Sequence, residues 1–233
     1  MGLKGGAFLA IWHDIAEGAQ ENYIEWHTRE HMPERLSIPG FRTGKRLHDP
    51  DAARYVFGTI YAGEDVEVFR SPAYLERLNN PTPWTSDVAP SFQNFLRIAC
   101  RRIAHAGLGD GGAMATIRFA FSGDGGESGL EQGAAQPLVD AILSLPGVAA
   151  VHLGVARAEV SSVRTRETEI RSEMAEKGFD AVLLVEGSSR PGLVASVGRA
   201  RDLALQTGLL TGAEINLYDV AFTLTSEDME GAA

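Results

Sequence analysis

The chain has 233 residues, 44% of them hydrophobic and 22% charged, with a formal net charge of -10. That is globular composition in a chain long enough to bury a core, and an acidic chain with no clustered Lys and Arg is a poor partner for nucleic acid. A single cysteine, Cys100 in the apolar run "FLRIAC", excludes an internal disulfide or a thiolate metal cluster and reads as a buried, inert thiol.

The first element is the apolar run "AFLAIWH", residues 7–13, which reads as a strand. The N-terminal apolar run is too short for a signal peptide before His13 and Asp14 interrupt it. No stretch approaches the roughly 20 apolar residues of a membrane span. A cytoplasmic location with no membrane partner is the expectation. A helix follows over about 17–36 and stops at "IPGF". Two strand-like runs, "RTGKRLH" and "ARYVFGTIYA", flank the turn "DPDA". "DVEVFRSPAYLERLNN" reads as a helix interrupted near Pro72, and "FQNFLRIACRRIAH" as a long closing strand. The order is βαββαβ.

The order then recurs. "AMATIRFAFS", "LEQGAAQPLVDAILS", "AAVHLGVARAE", "FDAVLLVEG", "LVASVGRARDLALQTG" and "AEINLYDVAFTLT" supply strand, helix, strand, strand, helix and strand. A shift of about 107 positions lays Pro39-Gly40 on Pro146-Gly147, so the helix stop falls at the same place in each copy. The predicted fold is α+β: two tandem ferredoxin-like halves packed sheet to sheet as an intrachain dimeric α+β barrel. The halves are 1–106 and 113–233, joined by the Gly-rich linker "GLGDGG" at 107–112. That linker matches G-x-G-x-x-G literally but opens no helix, so it fails as a dinucleotide site. The second half carries a charged insertion over 160–178, either a solvated surface helix or a flap whose Arg164, Arg166 or Arg171 reaches an anionic ligand.

The chemistry concentrates in "WHTREHMPER", residues 26–35. At about 100° per residue, Tyr23, Ile24, His27, His31 and Glu34 share one helical arc, while Glu21, Glu25, Thr28, Arg29 and Met32 fall opposite. The histidines therefore face the sheet. Pro33 can kink the helix, which loosens the bearing of Glu34. In the second copy the shift places Ala134, Leu138, Ala141 and Ala120 opposite His27, His31, Glu34 and His13. Packing alone needs only small and apolar residues there, so the imidazoles in the first copy point to a site. His27, His31 and Glu34 are the candidate catalytic residues. His13, Tyr23, Trp26, Arg46 and Tyr61 are candidate substrate-binding residues, with Tyr55 sharing a strand face with Tyr61.

The stretch "YIEWHTREHMPERLSIPGFRTGKRL" resembles the first helix and following strand of EthD-like proteins of the dimeric α+β barrel superfamily. There a W-H-x-x-x-H-x-P-E-type helix runs into a P-G-F turn. The resemblance implies a pocket between each sheet and its helices. It also implies one of several chemistries: cofactor-free oxygenation, cyclisation, isomerisation or haem chemistry. It carries His27, His31 and Glu34 over as motif residues, and the second half departs from the motif completely.

Three functions follow. The first is a cofactor-independent lyase, isomerase or cyclase using histidine acid–base chemistry on a small, aromatic or carboxylated metabolite, as in aromatic compound catabolism. The second is haem or divalent-metal binding through His27 and His31; H-T-R-E-H is not the zincin H-E-x-x-H. The third is a non-catalytic small-molecule-binding module. A homodimer is compatible with all three.

Overall fold

The computed structural model describes residues 3–161, 163–170 and 178–230. Its strands are β1 (Ala7–Ile15), β2 (Phe41–His48), β3 (Phe57–Gly63), β4 (Phe92–Gly107), β5 (Ala113–Phe121), β6 (Val148–Ala156), β7 (Ala181–Gly187) and β8 (Leu210–Thr225). With the intervening helices they make the α+β class and the doubled βαββαβ order that the sequence predicts. Among the described residues no helix is long and apolar enough to cross a membrane.

By contacts the chain divides into two compact units. One comprises Lys4–Ala99, Arg157–Gly178 and Ala221–Ala233; the other comprises Met1–Leu3, Cys100–Ala156 and Phe179–Val220. These units do not follow the 1–106 and 113–233 halves of the repeat. The reason lies in β4 and β8, 16 residues each against seven to nine for the others, which begin in one unit and end in the other. The insertion, within 157–178, belongs with the first half's residues.

In the first unit β3 lies between β1 and β2, antiparallel to both. Ile11 is level with Thr59 and Leu9 with Tyr61, and side chains two apart on a strand share a face. The helical segment after β1 comes in three pieces: α1 (Gln20–Trp26), a wide π-type turn (His27–His31) and α2 (Met32–Leu36). A 3-10 turn, Val66–Arg70, leads into α3 (Pro72–Asn79), each capped by its own side chain, Asp65 and Ser71. A further helix, α4 (Pro83–Val88), is N-capped by Thr82. The "ARYVFGTIYA" run becomes strand only from Phe57. Tyr55 sits before it at φ 59° and so shares no strand face with Tyr61.

In the second unit β7 lies between β5 and β6, and β8 pairs with the far side of β5. Cys100–Gly107 of β4 pair with β6, and Cys100 is fully buried. Ile117, Phe119, Leu183 and Val185 of this sheet pack with Leu138, Val139 and Ile142 of α5 (Ala135–Leu143) and with Val197 and Ala200 of the helix Arg190–Gln206. This cluster is apolar, and Ser196 of the second helix, buried beside it, donates its hydroxyl to the Pro146 carbonyl at 2.6 Å. The matching Pro-Gly stops are geometrically alike, with Gly40 at φ 93° and Gly147 at φ 76°. A β-carbon on Gly147 would lie 2.5 Å from the carbonyl oxygen of Gly192, so glycine is required both by the left-handed backbone and by the close approach.

Candidate active site

The wide turn inside "WHTREHMPER" fixes the geometry. The N–H of Met32 donates to the carbonyl of His27, five residues back, instead of four. Pro33 follows with no N–H of its own, so the ladder is already interrupted at this point. The carbonyl of Ile24 accepts side chains as well as the His27 N–H: Thr28 Oγ1 donates to it at 2.7 Å and Arg46 Nη1 at 3.1 Å. An extra residue in a turn rotates everything after it by about 100° relative to a regular helix. His27 and His31 keep the inward bearing that the sequence predicts. Glu34 does not.

His27 is 3% exposed, between the helix and the sheet. Its Nε2 lies 3.4 Å from the Tyr61 hydroxyl and 3.5 Å from Thr59 Oγ1, both on β3. Its Nδ1 is buried with no hydrogen-bond partner among the described residues. Burial, reinforced by the positive charge of Arg46 and by His13 and Arg35, holds its pKa well below the ordinary value of 6.5, so the ring is neutral near pH 7. Burial also pushes the hydroxyl of Tyr61 well above its usual range, which keeps it protonated.

A second Tyr–His pair faces the same hollow. Tyr23 Oη lies 3.1 Å from His13 Nε2, and His13 stacks on Phe57 with ring centroids 5.6 Å apart and an interplanar angle of 15°. Phe92 and Phe95 of β4 close the far wall. Trp26 covers His31 at a centroid distance of 4.2 Å and donates its indole N–H to Thr85 of α4 at 3.1 Å. Thr85 and Thr82 in turn bond Glu30, which points away from the hollow. The walls are mostly ring faces, with His27, His13, Thr59 and Tyr61 supplying the polar points. The open space between them is on the order of one water molecule.

A neighbouring hollow in the same unit shares Ile11, His31 and Tyr61 with the first. Here the wall is ionic. Arg35, 2% exposed, donates from Nη1 to Glu34 Oε2 at 2.8 Å and from Nη2 to Glu167 Oε1. Burial works against its charge, but Glu167 first, then Tyr74 and Glu34, outweigh that and raise its pKa. Burial raises the pKa of Glu34 against the opposing pull of Arg35. Arg97 lines the same hollow and donates to the Tyr74 hydroxyl at 3.1 Å.

The structure thus gathers His13, Tyr23, Trp26, His27, His31 and Tyr61 of the predicted set around one hollow. Glu34 lies instead against Arg35, with Arg77 at 3.9 Å. Arg46 is 6% exposed and serves the helix. It donates to Ile24 and, at 2.7 Å, to Thr28, and its guanidinium sits over Phe222. In the insertion Arg164 and Arg166 are exposed, whereas Glu167 points inward at 1% exposure; Arg171 lies outside the described residues. Thr59, Phe92, Phe95, Arg35 and Glu167 were not predicted. Thr59 carried a signal, since it stands two residues before Tyr61 on one strand; Glu167 carried none.

One group of side chains has the spacing of a metal grip. His31, Glu34 and Glu167 bring one ligand atom each within 4.8 Å of one another. Both carboxylates already bond the guanidinium of Arg35, so a cation between them would meet that charge, and the set does not fit a metal.

Sequence comparison finds no matching family model and no matching curated protein. Structural comparison finds several. An anthrone oxidase-like protein superposes with a TM-score of 0.63 at 11% identity, over 97% of this chain and 96% of that one. A proposed monooxygenase from Fusobacterium nucleatum gives 0.59 at 12% identity, over 95% of each chain. A chlorite dismutase from Candidatus Nitrospira defluvii, a mutant in complex with cyanide, gives 0.55 at 8% identity, over 98% and 95%. At such identities these likenesses establish the fold: an α+β, ferredoxin-like architecture shared along nearly the whole chain.

Proposed function

We propose that the protein is an enzyme of the EthD-like type that moves a proton on a small aromatic substrate, with His27 as the general base and no cofactor. The observation that carries this reading is the state of His27: buried, neutral, with no partner for Nδ1 among the described residues and its Nε2 beside two hydroxyls. If Nε2–H is donated to Tyr61 or Thr59, Nδ1 holds the lone pair and accepts the substrate's proton. An imidazolium in this apolar setting is costly, so the proton is returned readily. That suits lyase and isomerase chemistry, in which one group takes and gives back the same proton. Ring-faced walls favour a planar substrate. The names of the structural neighbours point to small-molecule chemistry and leave oxygenation of the resulting carbanion as the competing later step.

The test follows the proton and not the product. Aromatic C–H acids, anthrone among them, are incubated with the protein in deuterated buffer and their C–H signals followed by NMR. Wild type should accelerate exchange for at least one compound. A folded His27→Ala variant should lose about 10²–10⁴-fold of that rate. Exchange at an unchanged rate in His27→Ala sinks the proposal.

A further inference from the structure

Phe92 and Phe95 both line the first hollow, yet they stand three residues apart on β4. Side chains alternate along a regular strand, so residues three apart face opposite ways. The offset comes from between them. Asn94 sits in left-handed backbone, at φ 50°, where an extended strand has negative φ. One such residue shifts the alternation by a step, as a bulge does, and turns both rings to the same side. The two rings meet nearly perpendicular at 5.5 Å, and their centroids lie 4.7 Å (Phe92) and 6.2 Å (Phe95) from that of His13.

The Asn94 side-chain amide donates to Asp14 Oδ2 at 2.7 Å. The other carboxylate oxygen, Asp14 Oδ1, accepts the N–H of Val56, also at 2.7 Å. Val56 directly follows Tyr55, the other of the two described non-glycine residues at positive φ, and leads into Phe57, the ring on which His13 stacks. One buried carboxylate thus ties both irregular backbone positions from which Phe57, Phe92 and Phe95 extend.

We propose that Asp14 and Asn94 are positioning residues of the hollow: the Asp14 carboxylate holds Asn94 in left-handed backbone, and that conformation sets Phe92 and Phe95 together against His13. This rests on the hollow being the substrate site and not on the reaction assigned to it. Neighbours on a strand face opposite ways, so His13 turns into the hollow while Asp14 works from behind its wall. A carboxylate suits that place, because it accepts two hydrogen bonds and leaves no donor to satisfy. Left-handed backbone at residues with a β-carbon persists where the surroundings hold it, and it gathers at functional sites. The second copy supports a functional reason. At the same shift of about 107 it has Ala120 and Phe121 for His13 and Asp14, so the carboxylate is lost together with the histidine. No described non-glycine residue of the second unit has positive φ. The wall in turn keeps one orientation of the His13 ring, whose Nε2 lies 3.1 Å from Tyr23 Oη.

The test reads the His13 ring by NMR in the full-length protein. Stacking on Phe57 and Phe95 puts its ring protons in the shielding zone of those faces, upfield of an exposed histidine. Asn94→Ala removes the amide and disfavours the left-handed backbone, so His13 should lose most of that upfield displacement. Asn94→Gly also lacks the amide but adopts the same backbone freely, and should retain more of it. Asp14→Ala should act like Asn94→Ala. Asp14→Asn, which keeps an acceptor for the Val56 N–H and can still bond the Asn94 amide, should restore the wild-type shifts. His31, shielded by Trp26 from the helix, should stay in place throughout. Unmoved His13 signals in folded Asp14→Ala and Asn94→Ala overturn the proposal. Equal displacement in Asn94→Ala and Asn94→Gly overturns it too, and that comparison decides alone if Asp14→Ala misfolds. His13 and His31 moving together would show general loosening and likewise overturn it. Absent His27-dependent exchange in wild type would refute the assigned chemistry and leave the positioning standing; wild-type exchange with unmoved His13 signals would refute the positioning alone.

Discussion

The Nε2 atom of His27 lies 3.4 Å from the hydroxyl oxygen of Tyr61, an imidazole from the wide helical turn meeting a phenol from β3, both buried. Both groups are forced neutral, the phenol by burial, the imidazole by burial and nearby positive charge. A neutral pair at this distance can share a proton in either direction.

Tyr61→Phe keeps the ring and deletes the hydroxyl. The protein should fold, since the ring's packing is retained, and proton exchange on the substrate should slow by about 10–100-fold as His27 loses a partner. Thr59→Val should have a smaller effect, its oxygen lying at 3.5 Å. Rates measured side by side on the two variants decide this, and the reverse order would mean that Thr59 orients the ring.

The depressed pKa of His27 predicts a pH dependence of stability. The unfolded chain binds a proton at this residue near pH 6.5, whereas the folded protein resists until well below that. The contribution of His27 is therefore fully present above about pH 6.5 and is lost as pH falls from there toward the folded-state pKa. Urea titrations from pH 7.5 to 5 should show stability decreasing in wild type. The decrease should be shallower in His27→Gln, which cannot titrate; identical slopes would show that the burial penalty lies elsewhere.

Trp26 joins the pocket to α4 through its indole N–H, bonded to Thr85. Trp26→Phe should cost about 1 kcal/mol for the lost hydrogen bond and its partner. Trp26→Ala should cost about 3–5 kcal/mol, as for a large aromatic removed from a core. Denaturant midpoints resolve the two, and similar losses from both would place the whole energy in the hydrogen bond.

The Pro-Gly stop at Gly147, set against a glycine in open space at Gly18, makes a paired prediction. Gly147→Ala forces a left-handed alanine against a backbone carbonyl at 2.5 Å and should destabilise by about 3 kcal/mol or more. Gly18→Ala, also at positive φ (79°) but with nothing within 4 Å, should cost only about 1 kcal/mol. Thermal melts of the two variants compare the clash with the backbone term alone.

The duplicated βαββαβ order, the Pro-Gly stops and the inward bearing of His27 and His31 were legible from the chain. Each depends on local rules: side-chain alternation along strands, apolar periodicity along helices, and the glycine that a left-handed turn requires. The asymmetry between copies was legible too. Alanine and leucine stand in the second where the first has histidine, and the second unit's helix–sheet core cluster is apolar.

Tertiary structure decided the rest. The wide turn at His27–His31 and the buried guanidinium of Arg35, against which the Glu34 carboxylate lies, are not encoded in a regular helical wheel. Arg46 reads as a candidate for the substrate but is spent on that helix. Phe92 and Phe95 reach the hollow from β4, more than 60 residues beyond the histidines, and Glu167 reaches Arg35 across 132 residues. Local sequence fixes which face a residue takes along its own element, because that depends on backbone geometry a few residues long. Which faces then meet depends on contacts distant in the chain, and no local period encodes them.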